Sequence, residues 1–133
     1  NTFKKYERLK REQHINTLFS QGKAFSIFPL RFVFRLVPVA HEAVAVAEFS
    51  AVLAGFSVPK KKFKLSVHRH RVRRQMIEAW RLHKAPLCAL VPPGQQLHVF
   101  VICTAPAMPA YTDVLAAMAT GIGKLQAVCT PAS

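Results

Sequence analysis

The side chains best suited to a defined chemistry are basic and lie between residues 60 and 74, where the sequence is KKKFKLSVHRHRVRR. Ten lysines and arginines fall between residues 60 and 84, and Glu78 is the only acid among them. Because like charges at this density repel one another on a folded element, the segment is typical of a surface that binds a polyanion. The whole chain has 19 Lys and Arg against 6 acids, a formal net charge of +13. This balance indicates a nucleic acid first and an anionic membrane surface second.

Histidines are the natural candidates for cleavage of RNA by protein side chains, since such enzymes commonly need a general base and a general acid. His68 and His70 stand two residues apart, which on a helix turns them about 200° away from each other. They therefore cannot share one scissile phosphate or one metal ion. The acids form no DxD or ExxE cluster that would hold two metal ions. We expect no catalytic residue and no metal site in the protein.

Length and composition are typical of one globular domain, which we place at residues 1–133. Hydrophobic residues make up 51% of the chain, unlike a disordered basic tail. No apolar run reaches the ~18 residues of a membrane span, and the N-terminus lacks the apolar segment of a secretory signal. Cys88, Cys103 and Cys129 are widely spaced, which is typical of thiols in a reducing cytosol. We expect a cytoplasmic protein that does not bind membranes.

Hydrophobic periodicity predicts the elements that position the basic run. Residues 6–21 have helical spacing and are followed by Gly22, a typical C-terminal stop. Residues 26–37 predict a strand, residues 43–58 one or two strands, and residues 97–105 a buried strand. Residues 111–127 predict the last helix. The order favours an α+β fold, a two-layer α/β sandwich with about four strands and three helices in the order α-β-β-(β)-α-β-α.

The basic run itself opens the middle helix, which we expect to begin near Ser66 as its N-cap and to end near Lys84 and Pro86. At about 100° per residue, this helix has an apolar side and a cationic side. The apolar side is formed by Val72, Met76, Ala79 and His83 with Trp80 at its edge, and the cationic side by His70, Arg71, Arg74 and Arg81, with Arg69 and Arg73 flanking the apolar stripe.

Aromatic rings beside positive charge are a common means of holding single-stranded nucleic acid. In the strand 26–37, Phe32 and Phe34 alternate with Arg31 and Arg35, and Phe19 lies on the first helix. The residues alone favour a hydrophobic core for these phenylalanines and leave stacking on nucleic acid as the alternative.

The run FSVPKKKFKLSVHRHRVRRQMIEAWRLHK resembles the protein subunit of bacterial ribonuclease P. That family has Val-x-Lys-Lys at a strand end, followed on a helix by Ala-Val-x-Arg-Asn-Arg-x-Lys-Arg-x-x-Arg-Glu-x-x-Arg. Here the strand end corresponds to Val58 and Lys60 with Lys61 or Lys62. The helix positions that match are Val67, Arg69, Arg71, Arg74, Glu78 and Arg81, with Arg73 in place of Lys. The N-terminal part matches through Arg8, Leu9, Phe19, Gly22 and Lys23.

Three positions depart from the family pattern. His70 replaces the Asn between the two arginines, Ile77 replaces the Arg before the Glu, and Ile15 replaces an aromatic residue. The first change matters most, because an amide both donates and accepts at one end of the side chain, whereas neutral imidazole does each once at separate ring nitrogens.

The resemblance implies an accessory protein of an endoribonuclease whose catalytic component is an RNA. Its expected partners are that catalytic RNA and precursor tRNA, with no obligate protein partner, and its expected activity is to assist removal of the 5′ leader to give the mature tRNA 5′ end. Magnesium ions would be held mainly by the RNA, with no protein-bound cofactor. The fold would resemble ribosomal-protein domains and contain a left-handed βαβ crossover.

The resemblance also implies two sets of RNA-contacting residues. Contacts to the catalytic RNA are expected from Lys60, Lys61, Lys62, Arg69, His70, Arg71, Arg73, Arg74 and Arg81. A cleft for the leader is expected to contain Phe19, Arg31, Phe32 and Phe34.

Two other classes of protein remain as alternatives. A ribosomal or ribosome-assembly protein would bind structured RNA with a similar fold and no role in catalysis. A helix-based DNA-binding protein is disfavoured, because the sequence has no helix-turn-helix pattern and no obvious dimerisation segment.

Overall fold

In the computed structural model, the described part of the chain (residues 12–38, 51–61, 63–92 and 94–129) contains three helices and one four-stranded sheet. The predicted α+β fold is confirmed. Residues 6–11 and 43–50, which the sequence assigned to the first helix and to a strand, lie outside the described residues. The elements in chain order are α1 (Glu12–Gln21), β1 (Lys23–Ile27), β2 (Leu30–Pro38), β3 (Val52–Ser57), α2 (Ser66–Leu90), β4 (Gln95–Cys103) and α3 (Tyr111–Cys129).

The sheet has the strand order β1-β2-β4-β3. Strands β1 and β2 form an antiparallel hairpin, and β2 also pairs antiparallel with β4. Strands β3 and β4 are parallel and are joined through α2, so they form the βαβ unit of the fold. The left hand of this crossover stays a prediction from the family resemblance.

The main core lies between one face of the sheet and the helices α2 and α3. On this face Phe56 of β3 meets the Trp80 ring of α2 edge-on, with ring centroids 6.0 Å apart. Helix α3 comes so close to β2 that a Cβ atom on Gly121 would lie 2.3 Å from Cζ of Phe32. Glycine is therefore needed here for close packing of helix on sheet. Among the described residues, no helix is both long and apolar enough to cross a bilayer.

Helix α1 packs on the opposite face of the sheet, where a smaller cluster forms around Leu18 and Val33. Three further side chains from β3 and β4 pack against this pair: Leu53, Phe100 and Ile102. The helix ends as predicted before Gly22, whose N–H donates to the carbonyl of Leu18 over 2.8 Å. Both faces of the sheet are thus covered, one by two helices and the other by a single short one.

Two predicted boundaries are wrong for reasons visible in the structure. The segment 26–37 is not one strand, because the chain turns at Phe28–Pro29 and separates β1 from β2. Proline at the end of a hairpin strand cannot donate to the ladder, which favours this break. Helix α2 continues past Pro86 to Leu90. Leu87 beyond the proline is fully buried, so core packing outweighs the local penalty of a proline in a helix.

The start and the apolar stripe of α2 also differ from the prediction. Leu65, not Ser66, is the N-cap residue, and its carbonyl accepts from the N–H groups of His68 and Arg69. His83 is only partly buried, whereas Trp80, predicted at the edge of the stripe, is 1% exposed. The stripe that α2 buries is therefore Val72, Met76, Ala79, Trp80 and Leu87.

Candidate nucleic-acid interface

The predicted lysines lie at the end of the sheet where β3 and β4 finish and β2 begins. At this end Arg31 of β2 and Ser57 of β3 are both paired with Ile102 of β4, so the three residues form one row across the sheet. Three positions beyond Ser57 the chain reaches Lys60 and Lys61, which are both exposed. The register therefore brings Arg31 and the lysines to the same end of the sheet. Lys62 lies outside the described residues.

The cationic side of α2 is confirmed as a solvent-facing surface. His70, Arg71, Arg73 and Arg74 are all exposed, and Val72 between them is fully buried. The helix begins here without an acid in its first turn, and none of the described side chains caps its N-terminus. Because the N-terminus of a helix carries partial positive charge, its field adds to that of the arginines and favours an anion.

Two of the predicted RNA-binding arginines already hold backbone groups of the protein. Arg69 Nη1 donates to the carbonyl of Phe63 over 2.7 Å and to that of Lys64 over 3.0 Å. Arg73 Nε donates to the carbonyl of Phe56 in β3 over 3.4 Å. A guanidinium group has five N–H donors, so both side chains keep donors for a phosphate. Their first effect is to fix the lysine segment and α2 against the edge strand.

Arg81 is engaged with a carboxylate rather than exposed as a lone cation. Its Nε and Nη2 donate to the two carboxylate oxygens of Glu78, over 3.1 Å and 2.5 Å. This hydrogen-bonded pair lowers the pKa of Glu78 and raises the pKa of Arg81. The positive charge that the sequence assigned to Arg81 is therefore largely neutralised by its neighbour.

The assignment of Phe32 and Phe34 to the leader cleft is wrong, because both are core residues. Phe32 is 0% and Phe34 8% exposed, on the sheet face covered by α2 and α3. The Phe25 ring of β1 stacks on the Phe32 ring with centroids 5.0 Å apart, which closes the edge of this core. Neither ring can stack on a nucleobase without unpacking the sheet.

The opposite face of the sheet carries the accessible aromatic surface, which we call the α1 groove. Phe19 of α1 is 49% exposed, and its ring meets that of Phe100 in β4 edge-on at 5.3 Å. Phe100 lies two residues along β4 from Ile102, the partner of Arg31, and so points to the same face as both, because alternate residues of a strand share a face. The α1 groove thus combines two rings and the exposed guanidinium of Arg31.

Sequence reasoning missed Phe100, although the sequence contains the signal. The segment 97–105 was predicted as a buried strand, yet only its alternate residues Leu97, Val99, Val101 and Cys103 in β4 face the main core. The intervening residues, His98, Phe100 and Ile102, face α1. His98 is 4% exposed and its Nε2–H donates to Gln96 Oε1 over 2.9 Å. Alternate residues of β4 therefore face the main core and α1 in turn. This pattern identifies Phe100 as a residue of the α1 side once helices are known to cover both faces of the sheet.

Within the described residues, no group of three or more His, Cys, Asp and Glu side chains is arranged to hold a metal ion. The predicted splitting of His68 and His70 by helical geometry is consistent with α2, which carries both as exposed residues. Cys129 is buried in the core, and this burial raises the pKa of its thiol.

Comparisons with known proteins identify the family to which this chain is similar. The ribonuclease P family model matches residues 3–126. The ribonuclease P protein components of two Porphyromonas gingivalis strains, ATCC 33277 and W83, are each 46% identical over 80 residues, which is 60% of this chain and 53% of theirs. The chain spans about half the length of these curated relatives.

Solved structures agree in fold. The RNase P protein of Staphylococcus aureus superposes with a TM-score of 0.65 at 17% identity, covering 90% of this chain and 96% of that one. The RNase P protein of Thermotoga maritima gives 0.64 at 18% identity, covering 89% and 96%. Since the family model covers almost the whole sequence and includes the basic helix, this chain belongs to the ribonuclease P protein family.

Proposed function

We propose that this protein is the protein subunit of ribonuclease P. In this function it binds the catalytic RNA through the cationic end of the sheet and α2, and it assists removal of the 5′ leader from precursor tRNA. Catalysis takes place in the RNA, with magnesium ions held mainly by RNA groups. Family membership supports this assignment, and the P. gingivalis relatives carry the name ribonuclease P protein component.

The observation that carries the proposal is the concentration of uncompensated cations at one end of the sheet. Lys60, Lys61, Arg71 and Arg74 are exposed there, and no described acid pairs with them, since Glu78 is bound to Arg81. Arginine suits phosphate recognition because its planar fork donates to two phosphate oxygens together. An RNA backbone that crosses this end of the sheet would meet the lysines, the helix N-terminus and the arginines in succession.

The α1 groove is the surface that we propose for the 5′ leader. Single-stranded RNA is held by base stacking beside positive charge, and Phe19, Phe100 and Arg31 offer both on one face. Within this groove, Arg31 lies at the same end of the sheet as the lysines, because Arg31 and Ile102 belong to the row that ends at Ser57. The leader and the catalytic RNA would therefore approach the protein side by side.

Reconstitution with the catalytic RNA tests the proposal directly. We expect the protein to increase 5′-leader cleavage of precursor tRNA at low magnesium. The double variant Arg71→Ala, Arg74→Ala should bind the catalytic RNA more weakly and reduce the slope of log affinity against log salt by about two units, one for each lost phosphate contact.

A matched control removes two exposed cations from elsewhere on the surface, with Lys23→Ala and Lys124→Ala. This double variant has the same net charge as the arginine variant and should retain stimulation of cleavage and most of the salt slope. Folded wild-type protein that gives no increase in cleavage at any concentration would refute the function. Capture of ribosomal RNA alone from the native cell would instead favour the ribosomal alternative.

A further inference from the structure

An open cleft of about 580 Å³ lies between α2 and the start of α3. On α2 its wall is formed by Arg71, Arg74, Gln75 and Glu78, which follow the i, i+3, i+4, i+7 spacing of a single helix face. Tyr111, the first residue of α3, forms the opposing wall. The cleft is widely open to solvent, and its volume falls within the range of sites that bind a small molecule or a single nucleotide. We call this site the α2–α3 cleft.

The charge of the α2–α3 cleft suits an anion even though a carboxylate lines it. Glu78 accepts two hydrogen bonds from Arg81, so its negative charge is already compensated by a residue outside the cleft wall. Arg71 and Arg74 have no hydrogen-bond or ion-pair partner within the described residues. Two guanidinium groups therefore remain available at the mouth of the cleft.

The side chain of Gln75 gives a second, independent observation on the wall of this cleft. Its Oε1 is shielded from solvent and accepts no hydrogen bond from any described residue. A shielded amide oxygen without a donor is unfavourable and rare in native proteins, so each instance calls for an explanation. A bound molecule reaches this oxygen only after the Gln75 side chain rotates into the cleft, and that rotation breaks no hydrogen bond of the oxygen. There an N–H donor of the bound molecule would satisfy the oxygen, and the amide N–H would donate in return.

We propose that the α2–α3 cleft binds one nucleotide extruded from the RNA that the protein recognises. Arg71 and Arg74 contact its phosphates, Tyr111 packs against the base, and Gln75 hydrogen-bonds to the amino-bearing edge of that base. Arginine forks suit phosphate, an aromatic ring suits the face of any base, and an amide distinguishes one base edge from another. This inference rests on the proposed function, to which it adds a point of base recognition.

The test uses the full-length protein with the catalytic RNA, and its first step locates the nucleotide. A photoreactive phenylalanine analogue placed at position 111 should crosslink to one nucleotide or two adjacent ones. The catalytic RNA is then prepared with an abasic site at the crosslinked position. Tyr111→Ala should weaken binding of unmodified RNA by roughly tenfold, and Gln75→Met by roughly fivefold. Neither variant should weaken binding of the abasic RNA further.

Matched controls separate the cleft from general effects. Tyr111→Phe keeps the ring and should bind within about twofold of the wild type, and Gln21→Met changes an exposed glutamine on α1 and should bind like the wild type. Crosslinks spread over many nucleotides, or equal losses on intact and abasic RNA, would overturn the cleft proposal while wild-type protein still stimulates cleavage. Failure of the wild type itself to stimulate cleavage would overturn the proposed function instead.

Discussion

Arg69 Nη1 and the carbonyl oxygen of Phe63 are 2.7 Å apart, so the first turn of α2 holds the segment that carries the lysines. The same nitrogen also donates to the carbonyl of Lys64. Phe63 itself is 3% exposed and anchored in the core. A residue predicted from the family motif as an RNA contact is therefore also a structural clamp on neighbouring RNA contacts.

Arg69→Ala and Arg74→Ala should consequently have different effects. Arg74→Ala should reduce the salt slope of RNA binding by about one unit and leave the free protein unchanged, because Arg74 makes no hydrogen bond or ion pair with a described residue. Arg69→Ala should in addition increase hydrogen exchange of backbone amides in residues 60–65, since two carbonyl contacts are lost. Hydrogen exchange measured by mass spectrometry on the free proteins checks this. Equal protection in the two variants would contradict the clamp.

Gly121→Ala should destabilise the protein by about 1–3 kcal/mol, because the added methyl group would meet the Phe32 ring at 2.3 Å. Gly123→Ala is the matched control on the same helix, with no atom within 4 Å of the added Cβ. That change should stabilise the protein by about 0.5–1 kcal/mol through helix propensity. Urea unfolding of both variants measures the difference. A similar effect of the two substitutions would show that α3 can move away from β2.

Phe19→Ala should mainly weaken RNA binding, whereas Phe32→Ala should mainly lower the free energy of unfolding. Phe32 is fully buried, so its truncation should destabilise the protein by about 3–5 kcal/mol. Phe19 is half-exposed, so its truncation should reduce stability by only about 1 kcal/mol, mainly by loss of the contact with Phe100.

The binding side of this comparison needs two RNA ligands. Phe19→Ala should weaken binding of precursor tRNA to the holoenzyme by about 1 kcal/mol or more and leave binding of mature tRNA unaffected, because only the precursor has a leader to stack. Equal weakening for both ligands would place the leader elsewhere than in the α1 groove.

Glu78→Gln should remove a small contribution to the free energy of unfolding that is present at neutral pH and absent in strong acid. The hydrogen bond from Arg81 lowers the pKa of Glu78 below its ordinary value of 4.5 in the folded state. Its contribution is therefore fully present above the unfolded-state pKa and is lost as pH falls through the folded-state pKa. The difference in urea midpoint between wild type and Glu78→Gln should be present at neutral pH and disappear in strongly acidic solution. A difference that grows towards acid would have the opposite sign and contradict the pairing.

His70→Asn restores the residue that the family motif has between its two arginines. His70 is exposed on α2, so the substitution should leave the fold unchanged. We expect equal or tighter binding to the catalytic RNA, measured by filter binding at constant salt and pH. A clear loss of affinity would show that the RNA contacts of this chain are adapted to histidine.

The sequence predicted the amphipathic face of α2 well, because Val72, Met76 and Ala79 follow the helical period and are all buried. The predicted end of that helix was wrong. Pro86 is a helix-ending signal that can be read from the local sequence, whereas the burial of Leu87, which keeps the helix going, depends on contacts with distant segments. The same distinction explains Gly121, which periodicity treats as a weak point of a helix and the structure explains as a point of close packing.

The candidate site was harder to predict than the fold for a simple geometric reason. Alternation shows that Phe32 and Phe34 share a face and that Arg31 and Arg35 share the other. It does not show which face is more deeply covered, and here helices pack on both. Phe100 and Tyr111 enter the site through strand register and through helix packing, which depend on contacts between segments distant in the sequence.

Strand β3 takes part in both proposed RNA surfaces at once. The carbonyl of Phe56 accepts a hydrogen bond from Arg73 of the basic helix, and the next residue, Ser57, ends the row that leads to Arg31. Adjacent strands are about 4.8 Å apart, so this row spans roughly 10 Å from β3 to β2. Under the proposed function, the width of the sheet fixes the distance between the catalytic RNA on one surface and the leader on the other. A substitution that weakens one of the two RNA contacts and leaves the sheet intact would then leave this separation unchanged.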